Sequence, residues 1–565
     1  VSFRSLFVAV LAASALSAAP DIFPLKDVRA GQRGVGRTVF SGSKVEEFQV
    51  EILGVLNNVG PKQSIILARL KGGPLADTGV LQGMSGSPVY LDGRLAGAVA
   101  LGFSMSKEPI AGIRPIEEML RVEPDAKIAL AAAPPRSRFV TGDMRLEEIA
   151  TPVSFSGFTA AALDHFGPQL RELGLDPRQG VSGGGNPPQT LGDPKKLEPG
   201  SMISVQLLSG DMSVSADGTI TAIDGDRLYA FGHRFLATGP TDMPFARADV
   251  LALLPNLSTS FKISQAQEWM GTITADRDTA ISGITGRRAS LAPIDIRMGQ
   301  NSYHMNVVQD RVMTPLVAQM AVFSAMDSTQ RSVGSATYAV RGHIDFDAGS
   351  VNLDNVYSGD VSVSAVAAVG VLQPLSYALS TGFDALRLKG ISLEISPLES
   401  RSEIQIADVT GPRQVRPGED VELNVVLTAQ NGGESIRKAR YHVPTGAPAG
   451  TIYLTVADAP TANLAEIQAA SGAPARSPQQ ILATLNRLHS NTSAYMRVWR
   501  ADNTYSVEGR DLPAPPASIA MILGRALPPG TSQLNPRGAT LAEIEIPAGV
   551  NIVTGSKTIQ IEVKE

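Results

Sequence analysis

The chain has 565 residues, 43% of them hydrophobic, and only 18% charged with a net charge of −5. Sizeable cores can form, but a nucleic-acid surface is disfavoured because it needs a basic patch. With no cysteine at all, disulfides, thiolate catalysis and cysteine-ligated zinc or iron–sulfur centres are excluded.

In chain order, Arg4 precedes an apolar run, Leu6 to Leu16, and then the small residues Ser17-Ala18-Ala19. This reads as a secretory leader over 1–19, too short to span a membrane. No later run reaches the roughly 20 apolar residues that a span needs. The expectation is an exported protein, periplasmic or secreted, with no membrane span in its mature part. Val39 to Leu53 predicts strand, turn, strand, with the second arm alternating apolar and polar. Gly83-Met84-Ser85-Gly86-Ser87-Pro88 forms a Gly/Ser/Pro turn. Val89 to Val99, with Asp92-Gly93 at its centre, then predicts a hairpin. A short helix opens within Ile113 to Leu120, and 131–137 is a linker by composition.

Thr159 to Leu173 has helical spacing, and Val181 to Pro188 is a Gly/Pro loop. Gly218 to His233 is strand-like and ends in Gly232-His233 at the mouth of a Gly/Pro-rich loop, where functional groups tend to sit. Phe245 to Leu254 is expected as a short helix. Tyr338 to Asp347 alternates and puts His343, Asp345 and Asp347 on one strand face, a set that can ligate a divalent ion or simply face solvent. From 396 onward a Pro417-Gly418 turn and evenly spaced strands predict a β-sandwich with a helical insert at Pro478 to His489. There is no P-loop, dinucleotide fingerprint or His-Glu-x-x-His, so no cofactor and no metal is expected.

The run Gly79 to Tyr90, with Asp92 to Val99 behind it, resembles the SpoIVB peptidase family of extracytoplasmic serine peptidases, placed with the chymotrypsin-like fold. Gly218 to His233, Gly271-Thr272-Ile273-Thr274 and Gly283 to Gly286 resemble the same family's histidine segment. The resemblance implies Ser85 as nucleophile, His233 as general base, and the amides of Gly83 and Ser85 as an oxyanion hole. A serine hydroxyl needs an adjacent base, and imidazole has a suitable pKa near 6.5. Two features depart from the family. The histidine segment normally precedes the serine segment, so the order here is permuted. The family's acid would fall near Leu70, where no carboxylate stands. Asp276 is the candidate acid instead, with Asp242 and Asp249 closer to His233; a polar turn explains Asp276 and Asp278 equally well.

The fold expected is mainly β: a chymotrypsin-like double β-barrel in permuted order, then a β-sandwich-like C-terminal region with a few short helices. The segments are a leader at 1–19, a serine-bearing barrel segment at 20–135, a histidine-bearing barrel segment with insertions at 136–395, and the C-terminal region at 396–565. The function expected is an exported, narrowly specific, regulatory serine endopeptidase acting on a protein or peptide. An envelope protein partner would dock through the C-terminal region. The competing expectation is a catalytically inactive envelope scaffold on the same fold.

Overall fold

Strictly alternating burial builds the first barrel. In the second strand Phe48, Val50 and Ile52 are buried while Gln49 is exposed and Glu51 half-buried, the period of a strand with one face in a core. The computed structural model describes residues 20–564 apart from 104–105, 123–137, 142–143, 181–189, 258, 329–335, 361, 399–402, 471–476, 502–503, 508–509, 514, 526–531, 536–538 and 550. The predicted leader, the linker at 131–137 and the loop at 181–188 lie outside the described residues. Contacts divide the chain into two units, Val1–Leu291 and Ala292–Glu565.

The first unit holds two closed antiparallel barrels. Strands β1 (Arg33–Val39), β2 (Val45–Gly60), β3 (Gln63–Lys71), β4 (Pro88–Leu91), β5 (Arg94–Phe103) and β6 (Ile110–Pro115) pair in the order β1-β2-β3-β6-β5-β4. The ring closes through Gly34↔Leu91 to Gly36↔Val89. Its core joins Phe48, Val50, Ile66, Leu70 and Val89 to Leu81 and Met84 of the serine turn. Asp92 and Gly93 both have positive φ, 50° and 76°, the left-handed pair that a two-residue hairpin turn requires.

The second barrel repeats this plan. Strands β7 (Met202–Gly210), β8 (Ser213–Asp224), β9 (Arg227–Ala230), β10 (Gly239–Leu254), β11 (Phe261–Arg277) and β12 (Ala280–Thr285) pair as β7-β8-β9-β12-β11-β10 and close through β10–β7. Numbered within each barrel, both orders read 1-2-3-6-5-4, so the chain makes one Greek-key barrel twice. The fold is the mainly β, chymotrypsin-like double barrel expected. Ahead of the second barrel, the helix Ala160–Glu172 forms where its spacing predicted, and Thr159 Oγ1 accepts from Ala162 N at 3.3 Å to cap it. The strand Thr151–Ser156 extends the barrel wall beside β8 and carries the strand Leu175–Gln179 parallel to it.

The expected helix at Phe245 to Leu254 is instead the far half of β10. Register shifts at Phe245/Ala246, Ala246/Ala248 and Val250/Ala252 break its pairing with β11. Bulges push buried residues out of strict alternation, and the resulting spacing imitates a helix.

In the second unit, the strands Leu291–Met298, Asn301–Val308, Ala336–Phe346, Gly349–Gly359 and Leu388–Leu398 share a sheet. The helices Met313–Asp327 and Val363–Ser380, which the sequence reading passed over, belong to the same unit. By length and composition alone Val363–Ser380 is apolar enough to cross a membrane, and half of it is buried, as in a core helix. Beyond it stands the expected sandwich, a four-stranded sheet and a five-stranded sheet. Ile406, Leu423 and Val425 of one meet Leu454, Met496 and Ile561 of the other in a shared core. Leu423 is wholly buried there. Leu423→Ala is expected to destabilise the sandwich by about 2–5 kcal/mol, read as a lowered denaturant midpoint in chemical unfolding.

Candidate active site

Ser85 and His233 occupy the same place in the two barrels. Ser85 lies in the connection between the third and fourth strands of the first, His233 in that between the third and fourth strands of the second. Asp276 is near the end of the fifth strand of the second barrel.

The serine turn is pinned by its carbonyls. Thr219 Oγ1 donates to Gly83 O at 2.8 Å, Thr219 N to Ser85 O at 2.9 Å, and Thr221 Oγ1 to Gly86 O at 2.7 Å. All three donors belong to β8, so the second barrel grips the turn of the first. Gly83 and Gly86 have φ of +89° and +95°, which only glycine adopts freely. A Cβ on Gly86 would stand 2.0 Å from Thr219 O and 2.5 Å from Phe231 N, so no other residue fits. Met84 is fully buried and roots the turn in the first core.

The amides divide into two groups. Met84 N, Gly86 N and Ser87 N donate to Leu81 O, Val99 O and Met84 O at 3.1, 2.7 and 2.9 Å. Gly83 N and Ser85 N donate to no acceptor among the described residues. Their directions are nonetheless fixed. A trans peptide is planar, so each N–H points opposite the preceding carbonyl. Gln82 O accepts from Lys262 N at 3.2 Å and Met84 O from Ser87 N at 2.9 Å, which sets both planes. Two fixed, uncommitted donors flanking a serine are what an oxyanion hole requires.

Ser85 is wholly buried and its Oγ has no hydrogen-bond partner among the described residues. No hydrogen bond therefore joins Ser85 Oγ to His233 in this structure. The two segments are neighbours all the same. Gly86 packs on Phe231, and a Cβ on Gly232 would stand 3.1 Å from Ala100 Cβ and 3.3 Å from Val99 O. His233 is also fully buried. Its Nδ1 lies 2.7 Å from Arg234 O. A carbonyl only accepts, so Nδ1 carries the proton and Nε2 is the basic nitrogen. That is the tautomer a general base needs, and a main-chain carbonyl sets it. Phe231 and Gly232, at φ 71° and 69°, bring the chain into His233; a bulky residue in this region is held there by its surroundings.

The carboxylate of Asp276 is occupied by backbone. Phe235 N donates to Oδ1 at 2.8 Å and Leu236 N to Oδ2 at 2.6 Å, and the amides of Thr238 and Ala237 also favour its ionised form. It thus fixes the loop that leaves His233. Burial raises its pKa to about 6 against those hydrogen bonds.

A second set of residues near His233 escaped the sequence reading. Arg114 of β6 is completely buried. Its Nε donates to Gly232 O at 3.4 Å and its Nη1 to Gln63 Oε1 at 3.2 Å, while Glu118 Oε2 lies 3.5 Å from Nη1. Desolvation lowers the Arg114 pKa and raises that of Glu118. Arg234 pairs with Glu148 and Asp278, each at 3.7 Å. Arg114 therefore ties the serine barrel to the carbonyl before the histidine. The only sequence signal was a lone charge inside an apolar strand.

Elsewhere, His343 pairs with Asp345 at 3.4 Å. Among the described residues no three His, Asp or Glu side chains are grouped to hold a metal.

Residues 12–120, which contain the serine turn, match the family described as SpoIVB peptidase S55. No curated protein and no solved structure matches the chain. The match to the SpoIVB peptidase family thus covers the first barrel and its serine turn.

Two outcomes follow from this geometry. Arg114→Met leaves the Glu118 carboxylate buried without its partner and should cost about 3–5 kcal/mol in denaturant melts, whereas Arg114→Met with Glu118→Leu should recover most of that loss. Asp276 has a folded pKa above its unfolded value, so its contribution is complete below about pH 4 and is lost as pH rises through about 6. Asp276→Asn cannot titrate, and its stability should fall less than that of the wild type between about pH 3 and 7, by roughly 3 kcal/mol, measured by melts across that range.

Proposed function

We propose that the protein is an exported serine endopeptidase of SpoIVB type. Ser85 Oγ attacks a peptide carbonyl while its proton passes to His233 Nε2. The Gly83 and Ser85 amides hold the oxyanion. His233 returns the proton to the leaving amine, and water then hydrolyses the acyl-serine by the same path in reverse. Asp276 acts by anchoring residues 235–238, the loop that leaves the histidine. The observation that carries this reading is the pair of oriented, uncommitted amides on either side of a buried serine hydroxyl. One such donor contributes about 3–4 kcal/mol to an acyl-transfer barrier.

A regulatory, narrowly specific role fits the burial of both Ser85 and His233. A peptide reaches them only after local opening, so chance encounters are unproductive. The C-terminal sandwich is the proposed docking module for an envelope partner. The burial, and the missing hydrogen bond between Ser85 and His233, also favour a second reading: an inactive scaffold that keeps the turn for structure.

Fluorophosphonate labelling separates the two. The peptidase reading expects covalent labelling of the wild type at Ser85, abolished in Ser85→Ala and reduced at least about a hundredfold in His233→Ala. Folded wild-type protein that takes up no label would overturn it.

A further inference from the structure

The second barrel places a buried cation against the serine turn that the reaction above does not use. Lys262, the second residue of β11, is 2% exposed. Its Nζ donates to Thr38 Oγ1 on β1 at 2.8 Å. Its stem runs along Gly83, since a Cβ on that glycine would lie 3.3 Å from Lys262 Cδ and 3.5 Å from Lys262 Cβ. Its own N–H holds the Gln82 carbonyl at 3.2 Å, the bond that aims the Gly83 amide. Lys262 therefore meets one arm of the oxyanion hole through both main chain and side chain.

The surroundings of the ammonium are sparse. Asp217 on β8 is the charged group acting on it, and that carboxylate accepts from Ser204 on β7 and Ser264 on β11. β1 offers the neutral Thr38 hydroxyl to the ammonium, and Gly83 of the serine turn lies against the stem, with the apolar Met202 of β7 beside that glycine. In such a dry setting a positive charge acts over several ångströms with little screening. Burial lowers the Lys262 pKa to about 7, opposed by Asp217.

We infer that Lys262 is a positioning residue of the oxyanion hole: its ammonium, anchored at Thr38, holds the stem along Gly83 while its N–H fixes the Gln82–Gly83 peptide. The inference rests on the peptidase reading and deepens it. Neutralising the ammonium, by alkali or by substitution, should then slow acylation of Ser85. A lysine whose folded pKa is depressed contributes stability only at high pH, and this is lost as pH falls through about 7. Lys262→Met removes that penalty but also takes from the buried Asp217 the positive charge that favours its ionised form, so the change is read in reactivity.

The test is the second-order rate of fluorophosphonate labelling from pH 6 to 9, with melting temperatures, for wild type, Lys262→Met and Thr38→Val. Methionine keeps a long apolar stem and cannot carry charge. Expected for the wild type is labelling that declines above about pH 7. Lys262→Met should label at least about tenfold more slowly at pH 6 and lose the alkaline decline. Thr38→Val, which frees the ammonium from its anchor, should label more slowly but keep the decline. Lys262→Met that labels within about twofold of wild type with the same alkaline limb overturns the inference and leaves the peptidase reading intact. Wild type that never labels removes both, and is seen before any variant is made. If Lys262→Met does not fold, Thr38→Val decides: a rate within about twofold of wild type overturns the inference.

Discussion

The site depends on a set of backbone clamps in which one barrel holds the carbonyls of the other barrel's turn. Thr219 and Thr221 take the carbonyls of Gly83, Ser85 and Gly86, and Lys262 takes that of Gln82. Every donor lies in the second barrel and every acceptor in the first. Peptide planarity turns these clamps into orientation. The clamp on Gln82 O aims the Gly83 amide from outside, and Ser87 N on Met84 O aims the Ser85 amide from within the turn, so neither amide is spent on a hydrogen bond of its own. Ser260 adds to the grip, since its carbonyl accepts from Gln82 N and its hydroxyl donates to Thr78 O at 2.6 Å.

This arrangement explains why the order of the segments along the chain matters little. Each barrel is the same Greek key, and each uses the connection between its third and fourth strands to bring one residue to the junction. Exchanging the two barrels in sequence would keep that junction, since each barrel contributes one connection to it. Arg114 and Arg234, with their buried acids, join the barrels around His233 from the other side. Buried pairs of this kind add little net stability but penalise any rearrangement that separates them.

Much of the site was legible because its residues are conformationally demanding. A glycine-serine-glycine turn ahead of an Asp-Gly hairpin leaves few backbone choices, and Gly232-His233 at a strand end marks a junction. The double barrel was expected from the family resemblance, and the sandwich from alternation and regular turns. What escaped has physical reasons. Arg114 is a charge inside an apolar strand and Lys262 one at the start of a mixed strand, and local pattern cannot tell which distant carbonyl or hydroxyl will receive them. The histidine's orienting group is a main-chain carbonyl, which has no sequence signature. Met313–Asp327 is buried along nearly its whole length, so it shows no apolar–polar contrast to read. Phe245 to Leu254 was misread because bulges disguise a strand's period.

The central claim is that the Gly83 and Ser85 amides converge on one point beside Ser85 Oγ. A crystal structure of the protein soaked with a peptide boronic acid tests it most directly. The account predicts a tetrahedral boron on Ser85 Oγ with one boronate oxygen about 3 Å from both amide nitrogens. A boronate bound elsewhere, or bound at Ser85 with that oxygen turned away from the two amides, would contradict it.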